Sequence, residues 1–306
     1  MNKLVVILGP TASGKTELSI KLAKKYNGEV VSADSRQIYK GLDVGSGKVT
    51  KKEMQGIPHH LLSIANPKRK FSVAQYQKLA LKAIRNIQKK GKLPILVGGT
   101  GFYIQSVADG VLIPEVKPNW ELREKLEKLT TAQMSEKLEK LDAERAKNID
   151  KNNPRRLVRA LEIVLSTGKP VQKLQNNNSQ FSVIKIGIKK SKKNLEQLIN
   201  KRLIKRLAKN AIIDEVKNLR KTLSWKRLEE FGLEYKFVAQ YLQNKITRQE
   251  MIDKIQKESE HYAKRQMTWF SAHGGSASGG KKDQRIRWII NHKEAFTLID
   301  KFIKKC

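Results

Sequence analysis

Leu4-Val5-Val6-Ile7-Leu8, running straight into Gly9-Pro10-Thr11-Ala12-Ser13-Gly14-Lys15-Thr16, decides the fold. Five apolar residues, three of them β-branched, read as a buried strand. The next eight fit G-x-x-x-x-G-K-[ST], and Glu17 to Tyr26 continues with helical spacing. Strand, glycine-rich turn and helix are the context in which this motif cradles phosphate. Backbone N–H groups and the helix N-terminus face a pyrophosphate, Lys15 supplies a point charge, and Thr16 offers a hydroxyl to Mg²⁺. All eight residues, Gly9, Pro10, Thr11, Ala12, Ser13, Gly14, Lys15 and Thr16, are candidate phosphate-binding residues, with Mg²⁺ as the expected cofactor.

Outward from this motif, Glu29 to Ser32 reads as a second short strand. Val73 to Gln88 has helical spacing, with Leu79, Ala83, Ile84 and Ile87 as its apolar stripe. Lys92 to Val97, closed by Gly98-Gly99, reads as a third buried strand. Alternating strands and helices imply an α/β fold, a parallel sheet with helices on both faces. Trp120 to Ala146 differs, with leucines set among mixed charges in amphipathic helices. Asn153-Pro154 opens another helix, ended by Gly168-Lys169-Pro170. Asn176 to Ser179 reads as a linker, and Phe181 to Ile188 as a strand returning to the sheet. Asn194 to Tyr262 is mostly helical, and Ser276 to Gly280 is of low complexity. The chain therefore divides into a core of 1–114 and 181–306 interrupted by a helical insertion, 115–180.

Lys and Arg number 63 against 29 Asp and Glu in 306 residues, a net charge of +34. Residues 111–170 hold 13 basic and 10 acidic side chains, so the excess lies elsewhere. Such a field favours a polyanionic partner. Cys306 is the sole cysteine, which excludes an internal disulfide or a Cys-x-x-Cys metal site. Leu4 to Leu8 is too short for a signal-peptide core, and no run approaches a membrane span. A cytoplasmic chain with no membrane partner is expected, monomeric because no apolar heptad is sustained.

The motif does not say which phosphate is held. Nucleoside triphosphatases pair it with a strand ending in Asp that helps hold the metal. Here Leu93 to Val97 ends in Gly98-Gly99-Thr100-Gly101, without a carboxylate, and the other strand ends in Ala33-Asp34. That weakens a motor or switch and leaves group transfer open, with Asp34 as metal ligand or base.

Five further segments, with the phosphate motif, carry a resemblance. They are Ser32-Ala33-Asp34-Ser35-Arg36-Gln37-Ile38-Tyr39-Lys40-Gly41-Leu42-Asp43-Val44-Gly45, Pro58-His59-His60-Leu61 and Leu96-Val97-Gly98-Gly99-Thr100-Gly101-Phe102-Tyr103. Nearer the C-terminus come Asn153-Pro154-Arg155-Arg156-Leu157-Val158-Arg159-Ala160-Leu161-Glu162 and Ala263-Lys264-Arg265-Gln266-Met267-Thr268-Trp269-Phe270. In this order, over nearly the whole chain, the sequence resembles the bacterial tRNA dimethylallyltransferases. The resemblance implies a kinase-like P-loop core with a helical insertion. It implies transfer of a dimethylallyl group from dimethylallyl diphosphate to N6 of the adenosine 3′-adjacent to the tRNA anticodon, with release of pyrophosphate. The target base is then flipped, since a stacked base hides its exocyclic nitrogen.

On that resemblance Asp34 is the general base, aiming the poorly nucleophilic adenine amino group and taking its proton. Lys15, Thr16 and Thr100 stabilise the departing pyrophosphate, joined by Arg202. Ser35, Arg36 and Gln37 border the flipped base together with Asp34 and Thr100. Arg123 and the segment Arg155, Arg156, Leu157, Val158 and Arg159 lie against the anticodon stem-loop. Arg155 and Arg159, four apart, share a helix face. His59 and His60 read as structural hydrogen-bonding residues, since no second His/Cys cluster accompanies them. Trp269 and Phe270 read as core anchors, with Arg265 and Gln266 facing tRNA. The chain departs from the family at Phe231-Gly232-Leu233-Glu234-Tyr235, where an aliphatic-Gly-Tyr-basic stretch is usual. It departs again at Asn210 for a usual Gly, and in the added loop Ser271 to Gly280. Three rival readings are a P-loop small-molecule kinase, a relative that prenylates adenine nucleotides, and a nucleotide-gated RNA-binding module. The basic C-terminal third speaks against the first two.

Overall fold

A computed structural model of the chain describes residues 2–114, 116–172, 180–271 and 285–304. The linker expected at Asn176 to Ser179, the low-complexity patch, nearly all of the added loop, and Cys306 lie outside them. The described residues form two units, one of 2–110, 180–271 and 285–304, the other within 111–172.

In chain order the larger unit begins with β1 (Lys3–Leu8), α1 (Lys15–Lys25), β2 (Gly28–Ala33), α2 (Lys51–Met54), β3 (His59–His60), α3 (Val73–Lys89), β4 (Leu93–Gly98) and α4 (Gly101–Ala108). The smaller unit holds α5 (Trp120–Glu127), α6 (Thr131–Leu141), α7 (Ala143–Asn148) and α8 (Pro154–Thr167). The larger unit resumes with β5 (Ser182–Ile188), α9 (Lys192–Leu207), α10 (Ala211–Arg220), α11 (Trp225–Glu230), α12 (Leu233–Leu242), α13 (Arg248–Ser271), β6 (Ile286–Ile289) and α14 (His292–Lys304).

The strands form one parallel sheet in the order β3-β2-β4-β1-β5-β6. The period of two in β1 shows how it is covered. Leu4, Val6 and Leu8 enter a core shared with α3, α4 and the C-terminal helices, whereas Val5 and Ile7 enter a second core with α1 and α14. Both faces are therefore apolar, as parallel strands require. The fold is α/β, a P-loop-type parallel sheet flanked by helices. β5 pairs with β1 from Lys3↔Ser182 to Leu8↔Gly187, so the chain returns to the sheet after the helical unit. α3 is fixed by a capping box of Ser72 and Gln75 and buries Tyr76, Ala80, Ala83, Ile84 and Ile87. Leu79, expected on that stripe, is exposed, because the buried face centres on Tyr76, Ala80 and Ile84. Asn210 has φ +54°, a left-handed conformation that asparagine tolerates better than most residues.

In the helical unit each helix opens on a side-chain cap: Asn119, Thr130, Asp142 and Asn153, the last followed by Pro154 in the first turn. Its core is Leu126, Met134, Leu138, Leu157, Val158, Leu161 and their neighbours. No helix among the described residues is long and apolar enough to cross a membrane.

Candidate active site

The phosphate motif bridges β1 and α1. Gly9 has φ +145°, and a Cβ there would lie 2.9 Å from the carbonyl oxygen of Ile188, so the close approach of β5 demands glycine. Gly14, at φ +95°, caps α1. The Lys15 ammonium folds back over its own loop, donating to the carbonyls of Gly9 (3.0 Å) and Pro10 (2.6 Å). Arg202, from α9, donates to the hydroxyl of Thr11.

Asp34 follows β2 directly. Its Oδ1 accepts the backbone N–H groups of Arg36 (2.8 Å) and Gln37 (3.2 Å), a local turn that fixes the carboxylate. The neighbouring loop after β4 is pulled close. The N–H of Thr100 donates to the Ala33 carbonyl at 3.2 Å, and a Cβ on Gly98 would stand 2.1 Å from that same oxygen. Thr100 Oγ1 accepts the N–H of Ser35 at 3.0 Å and shares a hydrogen bond with Tyr262. The Thr100 hydroxyl thus registers the Asp34 turn and is not among the residues lining the cavity described next. Arg36, expected at the base, donates through Nε to the Phe231 carbonyl at 2.5 Å, so its guanidinium is engaged with the C-terminal helices.

A cavity of about 160 Å³ opens where these pieces meet. Thr11 to Thr16, Asp34, Gln37, Gly98, Gly99, Arg202, Tyr262 and Gln266 line it, with Val30, Val49, Leu62 and Val97 as an apolar wall. Gln266, expected to face tRNA, lines this cavity from α13. It is 5% exposed and faces inward. Its Oε1 accepts the N–H of Thr11 (2.7 Å) and its Nε2 donates to the Gly99 carbonyl (2.9 Å). One amide therefore ties the phosphate loop to the Gly98-Gly99 loop. Of the two expected core anchors, Phe270 is buried and Trp269 packs against the same core, with a Cβ on Gly101 only 2.1 Å from its ring. His60 pairs with Glu29 at 2.7 Å. His59 bonds the Ile57 carbonyl through Nδ1, its Nε2 is buried, and the residue is part of the cavity lining.

Burial, and then the nearby Arg202 guanidinium, lower the Lys15 pKa to about 7 against the pull of Asp34. Burial, and then Arg206, lower Arg202 to about 10, opposed by Glu234 and Asp34. Two cations are thus held in a place that disfavours their charge, a condition that an anionic ligand relieves. Burial, and then Asp34, push Tyr262 up to about 12, which keeps its phenol protonated as a donor. Among the described residues no cluster of three His, Cys, Asp or Glu could cage a metal. The oxygen donors present, the exposed Thr16 hydroxyl and Asp34, suit Mg²⁺, which takes few protein ligands and completes its shell with phosphate and water.

The arginines of the helical unit sort differently from the sequence reading. Arg155 and Arg156 are exposed. Leu157 and Val158, expected against RNA, are 0% and 4% exposed, because they are the apolar stripe that packs α8 on α6. Arg159 and Arg123 converge on Glu162, at 2.5 and 2.7 Å, and Arg159 also donates to the Val116 carbonyl. Arg155 and Arg159 therefore do not share one solvent face as free cations.

The family model described as "IPP transferase" matches residues 37–273. The tRNA dimethylallyltransferase of Caldanaerobacter subterraneus subsp. tengcongensis is 43% identical over 286 residues, covering 89% of each chain. That of Carboxydothermus hydrogenoformans is 39% identical, over 97% of this chain and 94% of its own. The crystal structure of the full-length tRNA isopentenylpyrophosphate transferase from Bacillus halodurans matches 99% of this chain and 96% of its own, with a TM-score of 0.70 and 36% identity. A eukaryotic dimethylallyltransferase captured acting on tRNA matches 99% of this chain and 80% of its own, with a TM-score of 0.81 and 26% identity. The family model begins at Gln37, so the phosphate loop and Asp34 rest on these longer matches and on the geometry above.

Proposed function

This chain belongs to the IPP transferase family of tRNA dimethylallyltransferases, and from that membership we propose how its own residues divide the work. It is a transferase that moves a dimethylallyl group from dimethylallyl diphosphate to N6 of the adenosine 3′-adjacent to the tRNA anticodon. The observation that carries the reading is one cavity holding a fixed carboxylate, Asp34, beside two cations, Lys15 and Arg202, that form no direct ion pair among the described residues.

The diphosphate sits on the N–H groups of the phosphate loop, within reach of Lys15 and Arg202. The five-carbon chain lies toward Val30, Val49, Leu62 and Val97. N6 of the flipped adenosine faces Asp34. As the N6–C1 bond forms, the C1–O bond to the diphosphate breaks, and Asp34 accepts the proton that N6 loses. Negative charge grows on the departing bridging oxygen. Lys15 and Arg202 neutralise it where water is scarce and a fixed cation counts most. The anion raises the Lys15 pKa and holds it charged for this step. Thr100 acts through Ser35 by holding the turn that aims Asp34. Thr16, with Asp34 nearby, would hold Mg²⁺, which supplies further positive charge to the diphosphate. Arg155 and Arg156 present their forks to the phosphates of the anticodon stem-loop. A monomer in the cytoplasm suffices for this chemistry.

The test is transfer of label. With Mg²⁺, radiolabelled dimethylallyl diphosphate, and unmodified tRNA carrying three adenosines from the third anticodon base, label enters that tRNA and not AMP or a mutated loop. Label in AMP makes the chain a nucleotide-prenylating enzyme. ATP turnover without prenyl donor makes it a kinase.

A further inference from the structure

The loop after Asp34 returns to the cavity at Ser46 and Gly47, and two side chains, 170 and 189 positions away, hold it there. Glu215, on α10, accepts three consecutive backbone N–H groups. Its Oε2 takes those of Asp43 (2.9 Å) and Val44 (2.6 Å), and its Oε1 takes that of Gly45 (3.0 Å). The Tyr235 hydroxyl, from α12, donates to Glu215 Oε1 at 2.8 Å and accepts the fourth N–H, that of Ser46, at 3.0 Å. Successive N–H groups pointing to one place form an anion-binding concavity, here filled by the protein's own carboxylate. Gly45 is required at the contact, since a Cβ there would lie 2.6 Å from the Tyr235 ring. The loop in turn holds Gln37, whose Nε2 donates to the carbonyls of Ser46 (3.4 Å) and Gly47 (3.2 Å). The backbone N–H of Gln37 is one of the two that fix Asp34.

We propose that Glu215 and Tyr235 are positioning residues for the acceptor side of the reaction, acting through the 43–47 loop and Gln37 on the place of Asp34. The proposal rests on the functional reading above, in which Asp34 meets the adenosine. Neither residue touches the cavity. Their hydrogen bonds run through the 43–47 loop to Gln37 and Asp34, and among the described residues neither side chain bonds Lys15 or Arg202 directly. This connection also gives the Phe231–Tyr235 segment, where the chain departs from its family's usual pattern, a role inside the protein. Tyr235 holds the cavity loop, and the Phe231 carbonyl holds Arg36.

Tyr235→Phe, which deletes one oxygen atom, and Glu215→Gln, which removes the charge but keeps the shape, separate positioning from mere stability. Each is expected to lower kcat for tRNA prenylation about tenfold to a hundredfold, the scale of a small misplacement of a catalytic group. Affinity for inorganic pyrophosphate is expected to stay at the wild-type value. In a double-mutant cycle, Gln37→Ala added to Tyr235→Phe is expected to cost little more than the worse single change. Pyrophosphate affinity falling in step with kcat, or fully additive losses, would overturn the proposal. So would wild-type kcat in a folded Tyr235→Phe protein, which remains the decisive variant if Glu215→Gln does not fold. Wild-type protein that labels no tRNA would refute the functional reading itself, a result distinct from these.

Discussion

Two clusters of cationic side chains, one in each unit, are partnered in opposite ways. In the helical unit the fully buried carboxylate of Glu162 gathers Arg123, Arg159 and the N–H of Asn119. Those arginines are already satisfied and hold α5 against α8. In the sheet unit Lys15 and Arg202 hydrogen-bond, among the described residues, to neutral oxygens alone, the carbonyls of Gly9 and Pro10 and the hydroxyl of Thr11. Burial then depresses both pKa values. A count of basic residues cannot separate the two situations. A direct ion pair does: among the described residues Arg123 and Arg159 have one and Lys15 and Arg202 do not, which marks the phosphate loop as the place that waits for an anion.

The largest effect is expected at the carboxylate beside those cations. Asp34→Asn keeps the shape and removes the base, so kcat should fall about 10³-fold, within the usual range for general-base removal. Pyrophosphate and tRNA binding should persist. Single-turnover transfer with parallel binding measurements checks this, and a kcat near wild type would remove Asp34 from the chemistry. Next comes Arg202→Met, expected to lower kcat about 10²-fold through lost stabilisation of the leaving group. In the helical unit the expected readout is stability instead. Glu162→Gln leaves two arginines without their carboxylate. Full burial of such a pair would put the loss at about 3–5 kcal/mol. With the arginines 24% and 31% exposed, roughly 2 kcal/mol of that unit's stability is the expectation, read by thermal or denaturant unfolding.

The phosphate loop and its strand and helix were legible in Leu4 to Thr16, because strand, turn and helix are local events. So was the helical character of 120–167, where each cap sits beside the helix it starts. Contacts that join distant segments were not. Gln266 reads as a polar residue on a charged helix, and nothing near it in sequence announces Thr11 or Gly99, 255 and 167 positions away. Glu215 is equally silent. Leu157 and Val158 fell within a motif rich in arginine and were read with it, although their own apolar character and helical spacing already pointed inward. β6 and the two-residue β3 escaped for want of length. A strand this short gives no periodicity to read.

Two smaller effects sharpen the contrast. A bound anion raises the pKa of the ammonium it touches, so binding takes up a proton wherever free Lys15 has lost one, above about pH 7. Pyrophosphate affinity should therefore fall as pH rises through that value, by up to about tenfold per pH unit for one proton. Comparison with Lys15→Met by titration calorimetry subtracts the ligand's own titration, and identical pH profiles would contradict the assignment. On the helical unit, exposed Arg155 is free to meet a phosphate. Arg155→Ala should weaken tRNA binding modestly and reduce the slope of log affinity against log salt by about one.

The most direct measurement is the dissociation constant of inorganic pyrophosphate for wild type, Arg202→Met and Arg159→Met under one set of conditions. The account predicts at least about a tenfold loss in Arg202→Met, a cation bonded to the Thr11 hydroxyl beside the phosphate loop, and an unchanged value in Arg159→Met, a cation already bound to Glu162. Equal losses in both, or none in Arg202→Met, would contradict it.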